Sequence, residues 1–165
     1  MGTLVYLSLG SNLGQRENYI REALARIQSQ VGEILNTSSY FETEPWGFVT
    51  DAQFLNICAS LQTNLSPFEL LNNFQLIEKE LGREQKSHSG YASRVIDIDI
   101  LTFGNQLVET EALTIPHPQM ENRKFVLLPL AEIAPDFTHP KSAKTIKQIM
   151  AICNDESSVL IYESK

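Results

Sequence analysis

The chain has 165 residues, 42% of them hydrophobic, enough to close one core and too few for two cores of independent stability. Its formal net charge of -7 offers no broad positive field to a phosphate backbone, so duplex DNA and long RNA are excluded as expected partners, although one or two pocketed arginines could still hold a small phosphate. No run approaches the roughly 18 apolar residues of a membrane span and no basic region precedes the N-terminal apolar stretch, so a single cytoplasmic domain over residues 1–165 is expected, without a membrane partner.

Residues 3–9 are rich in Leu, Val and Tyr and read as a strand that breaks in the turn-forming run Gly10-Ser11-Asn12-Leu13-Gly14. Ile20, Ala23, Leu24, Ile27 and Val31 recur at helical spacing with polar residues between them, and that helix ends near Gly32. Residues 34–43 carry threonines, serines and aromatics and read as a second strand, stopped by Pro45-Trp46-Gly47. Residues 54–63 alternate with period two, placing Leu55, Ile57, Ala59 and Leu61 on a core face. Phe54, Asn56, Cys58, Ser60 and Gln62 fall on the other, partly polar one. Ser66-Pro67-Phe68-Glu69 is a capping box with Pro at the first helical position, in front of Leu70, Phe74, Ile77 and Leu81.

Residues 83–93, REQKSHSGYAS, read as a polar loop. A fourth strand follows over residues 94–103, with Ile96, Ile98 and Ile100 toward the core. Gly104-Asn105 offers a tight turn from which residues 106–108 pair back as a short edge. A helix over 125–133 and a short one over 145–152 complete the chain. The order β-α-β-β-α-β, with two helices on one face of a mainly antiparallel sheet, is the ferredoxin-like arrangement of the α+β class, here with a C-terminal helical and loop extension. GxGxxG and GxxxxGK[ST] are both absent, and Gly10 and Gly14 alone make no phosphate loop. Cys58 and Cys153 lack metal-ligand spacing and read as two separate buried thiols.

Chemistry concentrates in Arg94-Val95-Ile96-Asp97-Ile98-Asp99-Ile100. Strand periodicity throws Asp97 and Asp99 onto one face and the isoleucines onto the other. Two such carboxylates repel, so they either raise a pKa, recruit a hard cation such as magnesium, or line a solvated acidic rim. Arg83, Arg94 and Arg123 together could converge on a polyphosphate. His117, between two prolines, has a fixed backbone around a group that titrates near neutrality or donates a hydrogen bond. His88 reads as exposed, and His139 has no evident partner.

The stretch ASRVIDIDILTFG, with LGSNLG near the start, FLN at 54–56, IEKELGR at 77–83 and IPHPQMENRKFVLLPL at 115–130, closely resembles the 6-hydroxymethyl-7,8-dihydropterin pyrophosphokinase family of folate biosynthesis, in order and over essentially the whole chain. The resemblance implies transfer of the β,γ-pyrophosphoryl group of ATP to the pterin hydroxymethyl, with AMP released and two magnesium ions held by Asp97 and Asp99. It implies phosphate contacts from Arg83 and Arg94, nucleotide-side contacts from His117 and Arg123, and an adenine pocket lined by Ile100. On the pterin side it implies Phe54 and Phe125 stacking on the ring, Asn56 reading its polar edge, and a contribution from Glu44, Pro45, Trp46 and Gly47. The chain departs from the family's frequent Trp-Gly-Pro-Arg, having Tyr91-Ala92-Ser93-Arg94, with Gly90 before it and Gln85 where some members carry a second loop arginine. A monomer is expected, and fusion to another folate-pathway enzyme is compatible with the sequence. The rival readings are another DxD nucleotidyltransferase or phosphohydrolase, and a non-catalytic ferredoxin-like binding module.

Overall fold

A computed structural model describes residues 2–43, 53–82 and 95–163. The sheet is built on two long neighbours, β1 (Thr3–Ser11) and β4 (Phe54–Thr63), which pair antiparallel over nine residues from Thr3↔Thr63 to Ser11↔Leu55. β5 (Asp97–Phe103) pairs antiparallel with the other side of β1. On the far side of β4 lie β2 (Glu33–Thr37) and β3 (Phe41–Thr43), and β8 (Val159–Ile161) pairs with β3. The order β5-β1-β4-β3-β8, with β2 also on β4, is antiparallel throughout.

The period-two phases read from the sequence hold. Val5, Leu7, Leu9, Leu55, Ile57, Ala59, Leu61, Ile98 and Ile100 form one buried face. α1 (Arg16–Gln30) and α2 (Pro67–Glu80) cover it with Ile20, Ala23, Ile27, Leu70, Phe74 and Ile77. α2 starts at the expected capping box: the Ser66 hydroxyl accepts from the Glu69 amide, and the Glu69 carboxylate accepts from the Ser66 amide. Phe74 is fully buried, and truncating such a side chain to alanine costs about 3–5 kcal/mol.

The opposite face is more apolar than the alternation in β4 suggested. Tyr6, Cys58 and Leu101 form a second core with Met120 and with Val126, Leu127 and Leu130 of α3 (Lys124–Ile133), joined by Ile146 and Ile149 of α4 (Ile146–Ile152). The two helices expected on one face, α1 and α2, are there, and α3 and α4 cover the other. Leu101 lies on this face by simple alternation from Asp97 and Asp99; the β1–β5 register slip, with Tyr6 opposite Thr102 and Leu7 opposite Ile100, instead returns Phe103 to the first core opposite Val5.

Four expected boundaries shift for local reasons. β1 runs on through Gly10 and Ser11, and the turn comes at Gly14, which has φ 65. The single strand expected over 34–43 is two, because at Ser38 the hydroxyl accepts from the Cys58 amide and the Ser38 amide donates to the Cys58 carbonyl, replacing ladder pairing there. The edge expected over 106–108 does not pair back on β5; β6 (Val108–Glu109) pairs with β7 (Thr114–Ile115) in a separate two-stranded sheet. The C-terminal segment is not helix and loop alone, since β8 returns to the main sheet. Cys58 is buried as expected, whereas Cys153 is partly exposed; both are free. Among the described residues no helix is long and apolar enough to cross a membrane.

Candidate active site

β5, β1, β4 and β3 align in rows across the sheet face away from α1 and α2. Asp97 stands opposite Gly10, Gly10 opposite Asn56, and Asn56 opposite Phe41. The next row runs from Asp99 through Ser8 to Cys58. Thr43 opposite Phe54 flanks the first row on its other side. Asp97 and Asn56 are thus two strand spacings apart, about 10 Å, with a glycine between them. A Cβ on Gly10 would meet the Asn56 side-chain oxygen at 2.5 Å, so the bare glycine makes the space in which the Asn56 amide lies.

Asn56 and Thr43 are 3% and 2% exposed. The Asn56 Nδ2 and the Thr43 Oγ1 have no hydrogen-bond partner among the described residues. A buried polar group left unmatched costs about 1–3 kcal/mol, a cost that a polar ligand edge on this face could offset. Thr43 was not singled out in the sequence; the period of two in Phe41-Glu42-Thr43 is the signal that puts it beside Phe54.

Asp97 and Asp99 share this face and are half-buried. The strand behind them is held by Glu78 of α2, 7% exposed, whose Oε2 accepts the Ile98 amide at 2.8 Å. That carboxylate fixes the backbone between the two aspartates from the helix side, a role the sequence did not announce. Among the described residues no group of three or more His, Cys, Asp and Glu side chains could hold a metal ion. A pair of same-face carboxylates still fits magnesium, which binds through one or two carboxylates and completes its shell with substrate phosphates and water. Ile100 points the other way. It is 5% exposed in the core with α1 and α2, opposite Leu7, so its side chain does not share the aspartate face.

His117 is tied to the same strand, its amide donating to the Leu101 carbonyl at 2.8 Å. Its Nδ1 accepts from the Gln119 amide at 3.1 Å, which leaves the proton of the neutral ring on Nε2, a donor. Arg123, 7% exposed, precedes α3, and its guanidinium carbon lies 5.6 Å from the centroid of the Phe125 ring. α3 packs over β4 and β3, and the Cys58 thiol reaches the Val126 carbonyl at 3.5 Å. Phe125 is therefore carried over the face of the sheet that presents Phe54 and Asn56. Since Arg123 supplies no side-chain cap to α3, Asp155 does so from a distance: its Oδ2 accepts the Lys124 amide at 2.9 Å. Burial opposes ionisation of Asp155, yet the Ser157 hydroxyl, the Lys124 amide and the Ser157 amide hold its carboxyl below the usual range. His139 organises a turn, its Nδ1 accepting the amides of Lys141 and Ser142.

Arg83, Arg94, Glu44, Pro45, Trp46 and Gly47 lie outside the described residues, as does the altered run Gly90 to Ser93.

The family model for 7,8-dihydro-6-hydroxymethylpterin-pyrophosphokinase matches residues 6–135. The chain belongs to this family. A pyrophosphokinase of Porphyromonas gingivalis acting on 2-amino-4-hydroxy-6-hydroxymethyldihydropteridine is 48% identical over 141 residues, which is 84% of this chain and 95% of that protein. The Bacillus subtilis pyrophosphokinase of the same name is 42% identical over 161 residues, 96% of this chain and 95% of that one. A Plasmodium falciparum HPPK-DHPS structure superposes at a TM-score of 0.72 over 92% of this chain with 17% identity; the chain spans 42% of its length. That likeness is one of fold, whereas the close relatives make this family member an enzyme, a diphosphotransferase of folate biosynthesis. The reading as a non-catalytic module is thereby set aside.

Proposed function

We propose that the chain transfers the β,γ-pyrophosphoryl group of ATP to 6-hydroxymethyl-7,8-dihydropterin in a magnesium-dependent reaction. The observation that carries this reading is the row Asp97–Gly10–Asn56. It puts a carboxylate pair suited to a nucleotide's metal ions and an unmatched amide on one face, with a glycine of β1 between Asp97 and Asn56. The hydroxymethyl oxygen attacks the β-phosphorus and gives up its proton to water, the bond from that phosphorus to the α,β-bridging oxygen breaks, and AMP departs with that oxygen. Two magnesium ions, when bound, neutralise triphosphate charge and align the attacking and leaving oxygens.

Asp97 and Asp99 would hold those ions, and Glu78 keeps their strand in place. The buried Asn56 amide and Thr43 hydroxyl would pair with the polar edge of the pterin, while Phe54 and Phe125 stack on its faces, worth about 0.5–1.5 kcal/mol each beyond burial. His117 offers its Nε2 proton, and Arg123 its charge, on the nucleotide side. Arg83 and Arg94 are assigned to the triphosphate, and Glu44, Pro45, Trp46 and Gly47 to the pterin side, on the family resemblance. For the adenine, Ile100 can act only through its main chain, given where its side chain packs. The order β5-β1-β4-β2 with two helices on one face supports a ferredoxin-like core beneath the C-terminal helices.

Equilibrium binding tests the pterin assignment. Asn56→Leu is expected to weaken pterin binding at least a hundredfold while leaving the affinity for a non-hydrolysable ATP analogue within twofold. Undiminished pterin affinity would remove Asn56 from the site.

A further inference from the structure

The first residue of α1, Arg16, stands on the sheet face behind the proposed pterin side. Its NH2 nitrogen forms an ion pair with Glu42 Oε2 of β3 at 2.7 Å, and its NH1 nitrogen donates to the Gln53 carbonyl at 2.9 Å. Glu42 and Gln53 are, respectively, one residue before Thr43 and one before Phe54, the pair that faces each other across β3 and β4. Tyr162, just beyond β8, presents its ring to the same guanidinium, 5.5 Å from the guanidinium carbon to the ring centroid. Three parts of the chain distant in sequence therefore meet on one side chain.

We infer that Arg16 is a positioning residue for the pterin side, setting the Thr43–Phe54 pair by holding β3 to the start of β4. The β3–β4 ladder has only three residue pairs, Phe41↔Asn56, Glu42↔Leu55 and Thr43↔Phe54. β8 pairs with β3 on its other side over the same three residues, but neither short ladder ties Thr43 to the residue that leads into Phe54, which a side-chain link can do. The geometry supplies that link. Glu42 pairs with Leu55, whose side chain is on the core face, while Thr43 and Phe54 project to the opposite face. Arg16 thus grips the back of the strands whose front would carry the ring contacts. A planar guanidinium can engage a carboxylate and a carbonyl at once through separate nitrogens, which a lysine's point charge cannot do with the same geometry.

This inference rests on the pterin assignment above, so wild-type protein is assayed beside each variant. In Arg16→Met the KM for 6-hydroxymethyl-7,8-dihydropterin is expected to rise roughly tenfold, a loss of the order that small misplacement of binding groups produces. The KM for ATP and kcat should stay within twofold. Arg16→Lys, which keeps the ion pair to Glu42 but not both links, should fall between wild type and Arg16→Met, and it serves as the folded control if the methionine variant is unstable. An unchanged pterin KM in Arg16→Met, or a parallel rise in both KM values, would overturn the positioning role. A wild-type chain that neither binds nor turns over the pterin would overturn the substrate assignment itself, and with it this role.

Discussion

Gly10 and Asn56 face each other across β1 and β4 so closely that a methyl group on the glycine would stand 2.5 Å from the asparagine's side-chain oxygen. Gly10→Ala should therefore push the amide away from its present place. The expected outcome is a pterin KM raised more than tenfold with ATP affinity retained, and a stability loss of about 1–3 kcal/mol from overpacking. Steady-state kinetics with each substrate varied in turn, together with a denaturant titration, check both parts.

Asp97→Asn and Asp99→Asn should each lower turnover by about a hundredfold or more, since each removes a proposed metal ligand. The fold should survive, because both side chains are half-buried and asparagine keeps the size and shape of aspartate. Circular dichroism and a magnesium titration of activity would separate loss of metal use from loss of structure. Near-normal turnover in either variant would dismiss the pair as ligands.

Asp155 gives a pH dependence of determined sign. Its carboxyl is held below the usual range in the folded protein by the Ser157 and Lys124 hydrogen bonds, against the effect of burial. A depressed folded pKa contributes stability that is complete above the unfolded value of about 3.9 and is lost as the pH falls through the lower folded value. Melting temperature should accordingly drop more steeply below about pH 4 in wild type than in Asp155→Asn. At neutral pH, Asp155→Ala should lose about 1 kcal/mol, the usual worth of a helix-capping acceptor. Thermal melts from pH 2.5 to pH 7 provide the comparison.

The two thiols should react at different rates. Cys58 is fully buried and burial pushes its thiol up, while Cys153 is partly exposed. A thiol reagent at neutral pH is expected to modify one cysteine quickly and the second only on the timescale of unfolding. Two fast equivalents would contradict the packing of Cys58 beneath α3.

Much of this was legible in the sequence because it rests on short-range rules. The capping box at Ser66, the core phase of Leu55 to Leu61 and the shared face of Asp97 and Asp99 follow from periodicity and local hydrogen bonding. What escaped depends on partners far along the chain. Ser38 splits a strand by bonding to Cys58, Phe103 changes faces through a register slip against β1, and Val159–Ile161 becomes a strand by pairing with Phe41–Thr43. The same holds within the site. Asn56 and Phe54 could be placed by phase alone, whereas Glu78 beneath Ile98 and Asp155 at the start of α3 become visible only once helix and strand are docked. Ile100 packs on the core face, as alternation from Asp99 expects.

The most direct test of the pyrophosphoryl-transfer assignment is product analysis with the purified chain, ATP, magnesium and 6-hydroxymethyl-7,8-dihydropterin. AMP and the pterin diphosphate are expected in equal amounts, and only when both magnesium and the pterin are present. ADP as the nucleotide product, or AMP released without the pterin, would contradict it.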